Sequence, residues 1–152
     1  MCYPKNMKAI VQRVKYTKLS VDGKLISEIG KGLTVYFGVE VGDEESLTEY
    51  FAKKIANMRI FEDENGKMNL SVKDIGGEIL LVSQFTLLAD CSHGNRPGFS
   101  FAEKPERADM LYKKCGELLE CEGVPVKYGV FGADMKIDQL NDGPVTIILE
   151  KK

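Results

Sequence analysis

The sequence predicts an α+β domain in which an antiparallel β-sheet carries two main α-helices on its outside. Segments rich in β-branched residues occupy the start of the chain, and an Asp22-Gly23 pair lies among them. Two later segments instead repeat apolar residues every three or four positions, as amphipathic helices do. With 152 residues and 43% hydrophobic content, the chain is long enough to form one domain with a buried core.

The first part of the chain is expected to form three antiparallel strands. Met7–Tyr16 mixes β-branched and charged residues in a rough alternation, which is typical of a half-exposed strand. Asp22-Gly23 lies between apolar residues and is a strong signal for a tight hairpin. Leu33–Val39 is more apolar, so we expect this third strand to lie deeper in the fold.

Two helices are expected after these strands. Asp43 has the chemistry of an N-cap and precedes the first helical period. Pro105 suits the first turn of the second helix, and Gly123 follows its end. The apolar stripe of the second helix consists of Ala108, Leu111, Tyr112, Cys115, Leu118 and Leu119.

The segment Ile79–Leu88 is apolar and strand-like, yet it carries Ser83, Gln84 and Thr86. A buried hydroxyl or amide without a partner costs about 1–3 kcal/mol. If the segment stays extended, Ser83 and Phe85 face one side while Gln84 and Thr86 face the other. These polar groups either bond to neighbouring backbone within the core or belong to a functional site.

The longest irregular stretch is 89–101, and loops of this size are often functional. Its Arg96 could hold a carboxylate or a phosphate. His93 is a candidate general base, although a single histidine in a glycine-rich loop is more often simply exposed. Farther on, Gly143-Pro144 directly precedes a terminal strand, so the proline must lie at the beginning or the edge of that strand, where a tight turn could hold the peptide bond cis.

Composition excludes several classes of function. The net charge of −2 argues against a nonspecific nucleic-acid coat. Residues 1–24 nevertheless carry six basic side chains against one acidic, which suits either a solvated strand face or a phosphate-contacting rim. The four cysteines form no Cys-x-x-Cys pair and the single histidine stands apart, so we expect free thiols, no metal and no cofactor. No apolar run approaches the ~18 residues of a membrane span, and the expected location is the cytoplasm.

Two motifs together resemble a known family. Ser83-Gln84-Phe85-Thr86, followed by Asn141-Asp142-Gly143-Pro144-Val145-Thr146, is similar to the paired signature of the D-aminoacyl-tRNA deacylases. The resemblance runs from Met7 to Glu150, with departures at the extension 1–6 and at Gly98, where the family often has Ser. It implies a barrel-like β core with two outer helices, a single deacylase domain over 7–152 and a flexible extension over 1–6.

The resemblance also implies an activity. Members hydrolyse the ester bond of D-aminoacyl-tRNA, a chiral proofreading reaction, and the expected partner is the aminoacylated 3′ end of tRNA. Activity on glycyl-tRNA mischarged on tRNA(Ala) is expected as well. The L form would be rejected by a Gly-cis-Pro filter that enters the partner subunit's pocket in a homodimer with interface active sites. The implied catalytic residues are Ser83, Gln84, Phe85 and Thr86, and the implied substrate-binding residues are Gly143, Pro144, Met135, Phe131, Asn95 and Arg96.

Two alternatives stay open at the level of sequence. Thr86 could act as a nucleophile that forms an acyl-enzyme, or it could contribute mainly its backbone N–H while the 2′-OH of the terminal ribose helps water attack. We favour the second, because no residue adjacent in the motif is an evident base. From a different class of function, the chain could be a nucleic-acid-binding or replication-associated module without deacylase activity.

Overall fold

The computed structural model describes residues 7–151, so the extension expected over 1–6 lies outside the described residues. In chain order the elements are β1 (Lys8–Val21), β2 (Lys24–Ile29), β3 (Gly32–Gly38), α1 (Ser46–Asn57), β4 (Phe61–Glu62), β5 (Met68–Leu70), β6 (Glu78–Ser83), a 3-10 helical turn (Phe85–Leu88), α2 (Pro105–Cys121), β7 (Val126–Tyr128) and β8 (Met135–Glu150). Within 7–151, no helix is both long and apolar enough to cross a membrane.

The main sheet has the strand order β2-β1-β3-β6-β7, and β8 pairs with β1. Its edges β2 and β7 approach each other: the Ser27 hydroxyl donates to the Tyr128 carbonyl at 2.6 Å, and the Lys127 ammonium donates to the Glu28 carbonyl at 2.7 Å. These bonds close the sheet into a barrel-like shape, so the predicted α+β fold with two helices is confirmed.

The sheet is mixed rather than wholly antiparallel. β1 is antiparallel to β2, β3 and β8, but β3–β6 and β6–β7 are parallel pairs. A long connection that contains a helix separates the strands of each parallel pair, α1 in the first case and α2 in the second. Such crossovers return the chain in its original direction, which is why these pairs are parallel.

The first hairpin forms as its sequence predicts. Val21 pairs with Lys24, and the two residues between them have positive φ angles, 52° at Asp22 and 77° at Gly23. A two-residue turn with both residues in the left-handed region matches the twist of the flanking strands. The Asp-Gly pair therefore sets the register of β1 against β2.

The helices pack together on one face of the sheet, over the larger of two apolar clusters. The Tyr112 hydroxyl ties α2 to β6 by donating to the Leu81 carbonyl at 2.7 Å. α2 begins at Pro105, as expected, but α1 begins at Ser46 and not directly after Asp43. The expected N-cap was wrong, because the Asp43 carboxylate instead accepts the backbone N–H of Glu40 at 2.7 Å and closes a separate turn.

Candidate active site

The polar segment after β6 is a turn and not the continuation of a strand. β6 ends at Ser83, and the Gln84 N–H still donates to the Phe37 carbonyl at 2.8 Å. Beyond this bond the backbone closes on itself, with Leu87 N–H donating to the Gln84 carbonyl at 3.2 Å. The alternating faces expected for an extended segment therefore end at Ser83, and Phe85 and Thr86 are exposed.

Gly38 makes room for this turn at the end of β3. A Cβ atom at position 38 would lie 2.6 Å from Cδ2 of Leu88 and 3.0 Å from the Gln84 carbonyl oxygen. Because the glycine has no side chain, the buried Leu88 can pack directly against β3. The backbone of the Gln84 turn is thereby fixed against the sheet.

A cavity of about 640 Å³ opens beside the turn. Five of the residues predicted from the resemblance line it: Ser83, Gln84 and Phe85 from the end of β6, and Phe131 and Met135 from the segment that leads into β8. The fold thus brings together two stretches that lie about fifty residues apart in the sequence. Sequence reasoning missed other lining residues, among them Phe99, Glu103 and Lys104.

Thr86 lies next to this cavity but does not line it. The Gln84 side-chain amide donates to the Thr86 hydroxyl oxygen at 2.5 Å. An amide is not a base, so this contact orients the hydroxyl without activating it as a nucleophile. The backbone N–H groups at the start of a helical turn, in contrast, have no partner within that turn and can donate to another group.

Phe99 contacts Phe85 across the mouth of the cavity. The two ring centroids are 5.1 Å apart and the ring planes meet at 71°, an edge-to-face arrangement. The loop of Phe99 also contains Phe101, so no sequence signal singles out Phe99 as a residue of the cavity.

Asn95 and Arg96 are placed elsewhere, in the exposed loop with His93. The loop narrows where Asp90 and Gly98 exchange backbone hydrogen bonds of 2.7 and 2.9 Å. Neither predicted substrate-binding residue of this loop lines the cavity. The structure therefore does not join the loop tip to the Ser83–Phe85 end of β6 within one chain.

The Gly143-Pro144 peptide bond is cis, and it lies in a bulge of β8. Gln12 pairs with Thr146 and Val14 pairs with Asn141, so residues 142–145 of β8 all lie opposite Arg13. Among the described residues β8 pairs with β1 alone, so the proline lies on an edge strand, one of the two expected positions. The expectation that Gly143-Pro144 directly precedes the terminal strand was wrong, because β8 continues through this pair from Met135 to Glu150. Both Gly143 and Pro144 are exposed, and they do not line the cavity of their own chain.

Arg13 holds this bulge through its guanidinium group. Its Nη1 donates to the Ile60 carbonyl at 2.7 Å, and its Nε donates to the Asp142 carbonyl at 3.1 Å. Nε also lies 3.4 Å from the Asp142 carboxylate, and Arg13 as a whole is only 4% exposed. Because this buried arginine donates hydrogen bonds to backbone carbonyls, it fixes the position of the chain directly before Gly143.

Glu103 lines the cavity directly before α2 and belongs to a small group of charged side chains. Arg107 pairs with Glu103 at 2.8 Å and also donates to the Asp43 carbonyl. Burial raises the pKa of the Asp43 carboxyl to about 6, although the hydrogen bond from the Glu40 N–H acts in the opposite direction. Over the described part of the chain, no three His, Cys, Asp or Glu side chains come together as metal ligands.

The family model described as D-Tyr-tRNA(Tyr) deacylase matches residues 10–150. The chain belongs to the D-aminoacyl-tRNA deacylase family. A D-aminoacyl-tRNA deacylase of Thermoanaerobacter is 54% identical over 146 residues, which are 96% of this chain and 98% of the relative. One of Clostridioides difficile is 53% identical over 144 residues, 95% of this chain and 97% of the relative.

Solved structures have the same fold. A structure titled c-Myc DNA Unwinding Element Binding Protein has a TM-score of 0.88 and 44% identity, and the match covers 96% of this chain and 99% of that one. A probable eukaryotic D-amino acid tRNA deacylase has a TM-score of 0.84 at 16% identity, covering 96% and 100%, which shows similarity of fold alone. The deacylase family predicted from the two motifs is therefore confirmed, and the chain is an ester hydrolase of that family.

Proposed function

We propose that this deacylase hydrolyses the ester between a D-amino acid and the 3′ end of tRNA, releasing free D-amino acid and tRNA. The observation that carries the proposal is the cavity of about 640 Å³ at the end of β6, where Ser83, Gln84 and Phe85 meet Phe131 and Met135. The names of the relatives, D-aminoacyl-tRNA deacylase, support the same substrate. The reaction removes D-amino acids from translation, and so serves quality control and D-amino acid catabolism.

Hydrolysis of this ester mainly requires that the substrate and a water molecule are held in the correct orientation. An aminoacyl-tRNA is already an activated ester, so hydrolysis needs a positioned water and hydrogen-bond donors for the developing oxyanion. The N–H groups of Phe85 and Thr86 stand at the start of the 3-10 turn, where helical bonding leaves them available. In this scheme the two N–H groups donate hydrogen bonds to the carbonyl oxygen of the ester. The side chains of Ser83 and Gln84 lie beside that carbonyl, and Phe85 packs on the substrate.

Thr86 acts in this scheme mainly through its backbone. Its hydroxyl oxygen accepts a hydrogen bond from the Gln84 side-chain amide nitrogen at 2.5 Å, and that amide cannot take up the hydroxyl proton. An acyl-enzyme on Thr86 would require such a base. The 2′-OH of the terminal ribose is the group that assists water in its place.

Chiral selection falls to Gly143 and Pro144 of a second subunit. In a homodimer, the carbonyl groups of this corner enter the partner's cavity and hold the substrate's α-amino group so closely that an L side chain clashes, which is specificity by repulsion. Two observations support this arrangement: the corner is exposed and absent from its own cavity, and β8 beside it exposes Ile148 by 66% and Leu140 by 48%. Glycine has no side chain to clash, so glycyl-tRNA mischarged on tRNA(Ala) is also a substrate.

The remaining predicted residues would contact the nucleic acid. Asn95 and Arg96 lie on an exposed loop outside the cavity, where Arg96 can reach phosphate groups of the tRNA end. The cytoplasm is the proposed location, since Cys91, Cys115 and Cys121 are free thiols, as is usual in a reducing compartment. No metal or cofactor takes part in the proposed reaction.

The second candidate is a nucleic-acid-binding or replication-associated module without deacylase activity. The structural neighbour titled c-Myc DNA Unwinding Element Binding Protein favours it, at 44% identity. This function predicts binding to single-stranded DNA or to tRNA regardless of aminoacylation, with an affinity that falls steeply with salt.

The deciding experiment compares hydrolysis of D-Tyr-tRNA and L-Tyr-tRNA by the purified protein. We expect rapid release of D-tyrosine and sparing of the L ester. If neither ester is cleaved while uncharged tRNA or single-stranded DNA binds, the second candidate is correct. Release of glycine from glycyl-tRNA(Ala) in the same assay tests the wider substrate range.

The variant Gly143→Ala tests the filter. An added Cβ at Gly143 meets no atom within 4 Å in its own chain, so the fold should tolerate it and any loss must arise from the substrate or the partner subunit. Gly30→Ala is the matched control, because its Cβ also enters open space. Unchanged rates for both esters with Gly143→Ala would place the selectivity elsewhere. Light scattering of the wild-type protein tests the dimer.

A further inference from the structure

A glutamine in β8 joins polar side chains of three strands into one hydrogen-bonded group. The Tyr36 hydroxyl donates to the side-chain oxygen of Gln139 at 2.8 Å. The side-chain nitrogen of Gln139 donates to the side-chain oxygens of Gln12 at 2.7 Å and of Asn141 at 2.5 Å. Gln139 therefore uses its oxygen and both hydrogens of its amide. We call Gln12, Tyr36, Gln139 and Asn141 the Gln139 cluster.

Two members of the cluster lie in β8 between the cavity and the Gly143-Pro144 corner. Side chains two residues apart in a strand point to the same face. Met135 and Ile137 line the cavity. Gln139 and Asn141 follow them at the same spacing, and the corner comes next in the strand. The cluster therefore holds the last regular part of β8 before the corner.

Backbone pairing alone does not fix the direction of the corner. The ladder between β1 and β8 shifts its register twice within residues 12–16 of β1. An added Cβ at Gly143 meets no atom within 4 Å, so no group packs against that position. Side chains hold the two residues directly before the corner instead. Arg13 binds the Asp142 carbonyl, and the Gln139 cluster binds the side chain of Asn141.

The Gln139 amide has a single favourable orientation. Its oxygen accepts from the Tyr36 hydroxyl, and burial raises the pKa of Tyr36, so that hydroxyl keeps its proton at neutral pH. The Tyr36 side chain packs against the smaller apolar cluster, which includes Val82. A rotated amide would direct its oxygen at the side-chain oxygens of Gln12 and Asn141, which repel it. Gln139 is thus a rigid support for Asn141.

We propose that Gln139 is a positioning residue for chiral selection, because through Asn141 it fixes the direction in which the corner enters the partner subunit's cavity. The inference rests on the proposed Gly143-Pro144 filter. Rejection of the L form by repulsion depends on how closely the corner approaches the substrate. A corner held by Arg13 alone is free to move away from an L side chain, and it also holds the α-amino group of the D form less firmly.

The variant Gln139→Leu removes every hydrogen bond of this side chain and keeps an apolar group at the position. We expect the ratio of kcat/KM for D-Tyr-tRNA to kcat/KM for L-Tyr-tRNA to fall by roughly 2- to 13-fold, the range for one neutral hydrogen bond. Tyr36→Phe removes only the hydroxyl and should lower the ratio less. Tyr128→Phe is the matched control and should leave the ratio unchanged, because the Tyr128 hydroxyl also donates to a side-chain oxygen at 2.8 Å, that of Glu120 in α2.

A double-mutant cycle tests whether Gln139 acts through Asn141. Asn141→Ala should lower the ratio by a similar factor. The double variant Gln139→Leu/Asn141→Ala should lower it no further than the larger single change, because both changes remove the same contact. Both esters are measured with enzyme in excess, so that slow hydrolysis of the L form is also quantified. Losses that multiply in the double variant would contradict the proposed route.

Other results also overturn the assignment. An unchanged ratio in folded Gln139→Leu would show that the cluster does not act on selection. Dissociation of this variant into monomers, measured by light scattering, would show that the cluster serves assembly instead. If Gln139→Leu does not fold, Tyr36→Phe decides, and a ratio equal to that of Tyr128→Phe then refutes the role. If the wild type cleaves neither ester or both equally, the proposed function fails and this inference with it, whereas a selective wild type with unaffected variants refutes the role of Gln139 alone.

Discussion

Replacing Arg13 by methionine should destabilise the fold by about 3–6 kcal/mol, the contribution of two hydrogen bonds from a charged donor. The guanidinium donates to the carbonyl groups of Ile60 and Asp142, and a hydrogen bond from a charged donor contributes about 1.5–3 kcal/mol. Methionine retains much of the apolar stem, so the loss arises mainly from these two bonds. The ion pair with the Asp142 carboxylate adds little, because that side chain is 30% exposed and can be hydrated.

Urea denaturation followed by circular dichroism measures this loss. Asp142→Asn is the control: it removes the ion pair but leaves the backbone carbonyl that Arg13 binds, so its cost should stay below about 1 kcal/mol. Arg13→Lys should be intermediate, since one ammonium group cannot reproduce the fork of donors. A loss below about 1 kcal/mol for Arg13→Met, or an equal loss for Asp142→Asn, would refute the role assigned to the two carbonyl bonds.

The remaining predictions concern the turn and the buried carboxyl. Gly38→Ala should displace the Gln84 turn and reduce kcat for D-Tyr-tRNA at least tenfold, because its Cβ would lie 2.6 Å from Leu88; wild-type kcat would contradict this. Thr86→Ala should retain substantial deacylation, and complete loss in a folded variant, or a trapped acyl-Thr86, would favour the nucleophile. Burial raises the pKa of Asp43 to about 6, so the folded state holds its proton more tightly than the unfolded chain. The contribution of Asp43 to the free energy of unfolding should therefore fall, by at most about 3 kcal/mol, as the pH rises from about 3 to about 7, and Asp43→Asn should remove this contribution in urea titrations.

Local chemistry explains what could be predicted without a structure. The Asp22-Gly23 turn formed because both residues accept positive φ angles, and α2 began at Pro105 because proline suits a first helical turn. The start of α1 could not be predicted in the same way. Asp43 has the chemistry of an N-cap, but its carboxylate bonds to the N–H of Glu40 instead, and the helix starts three residues later.

The candidate site was predictable only in part. Ser83 and Gln84 were found because polar side chains at the end of an apolar strand need hydrogen-bond partners. The same cavity includes Phe85, Phe131 and Met135, which the resemblance implied. Phe99 was missed, since its place at the cavity depends on a loop neck between Asp90 and Gly98 that no local pattern encodes.

The sequence by itself determined the family, the hairpin and the two helices, since motifs, turn chemistry and helical periodicity involve residues close together in the chain. Tertiary structure alone decided the two parallel strand pairs, the end of β6 at Ser83 and the burial of Arg13 against the carbonyls of Ile60 and Asp142. Each of these depends on partners tens of residues away. The contacts that stabilise these features form only when the chain is folded, so no short stretch of sequence encodes them.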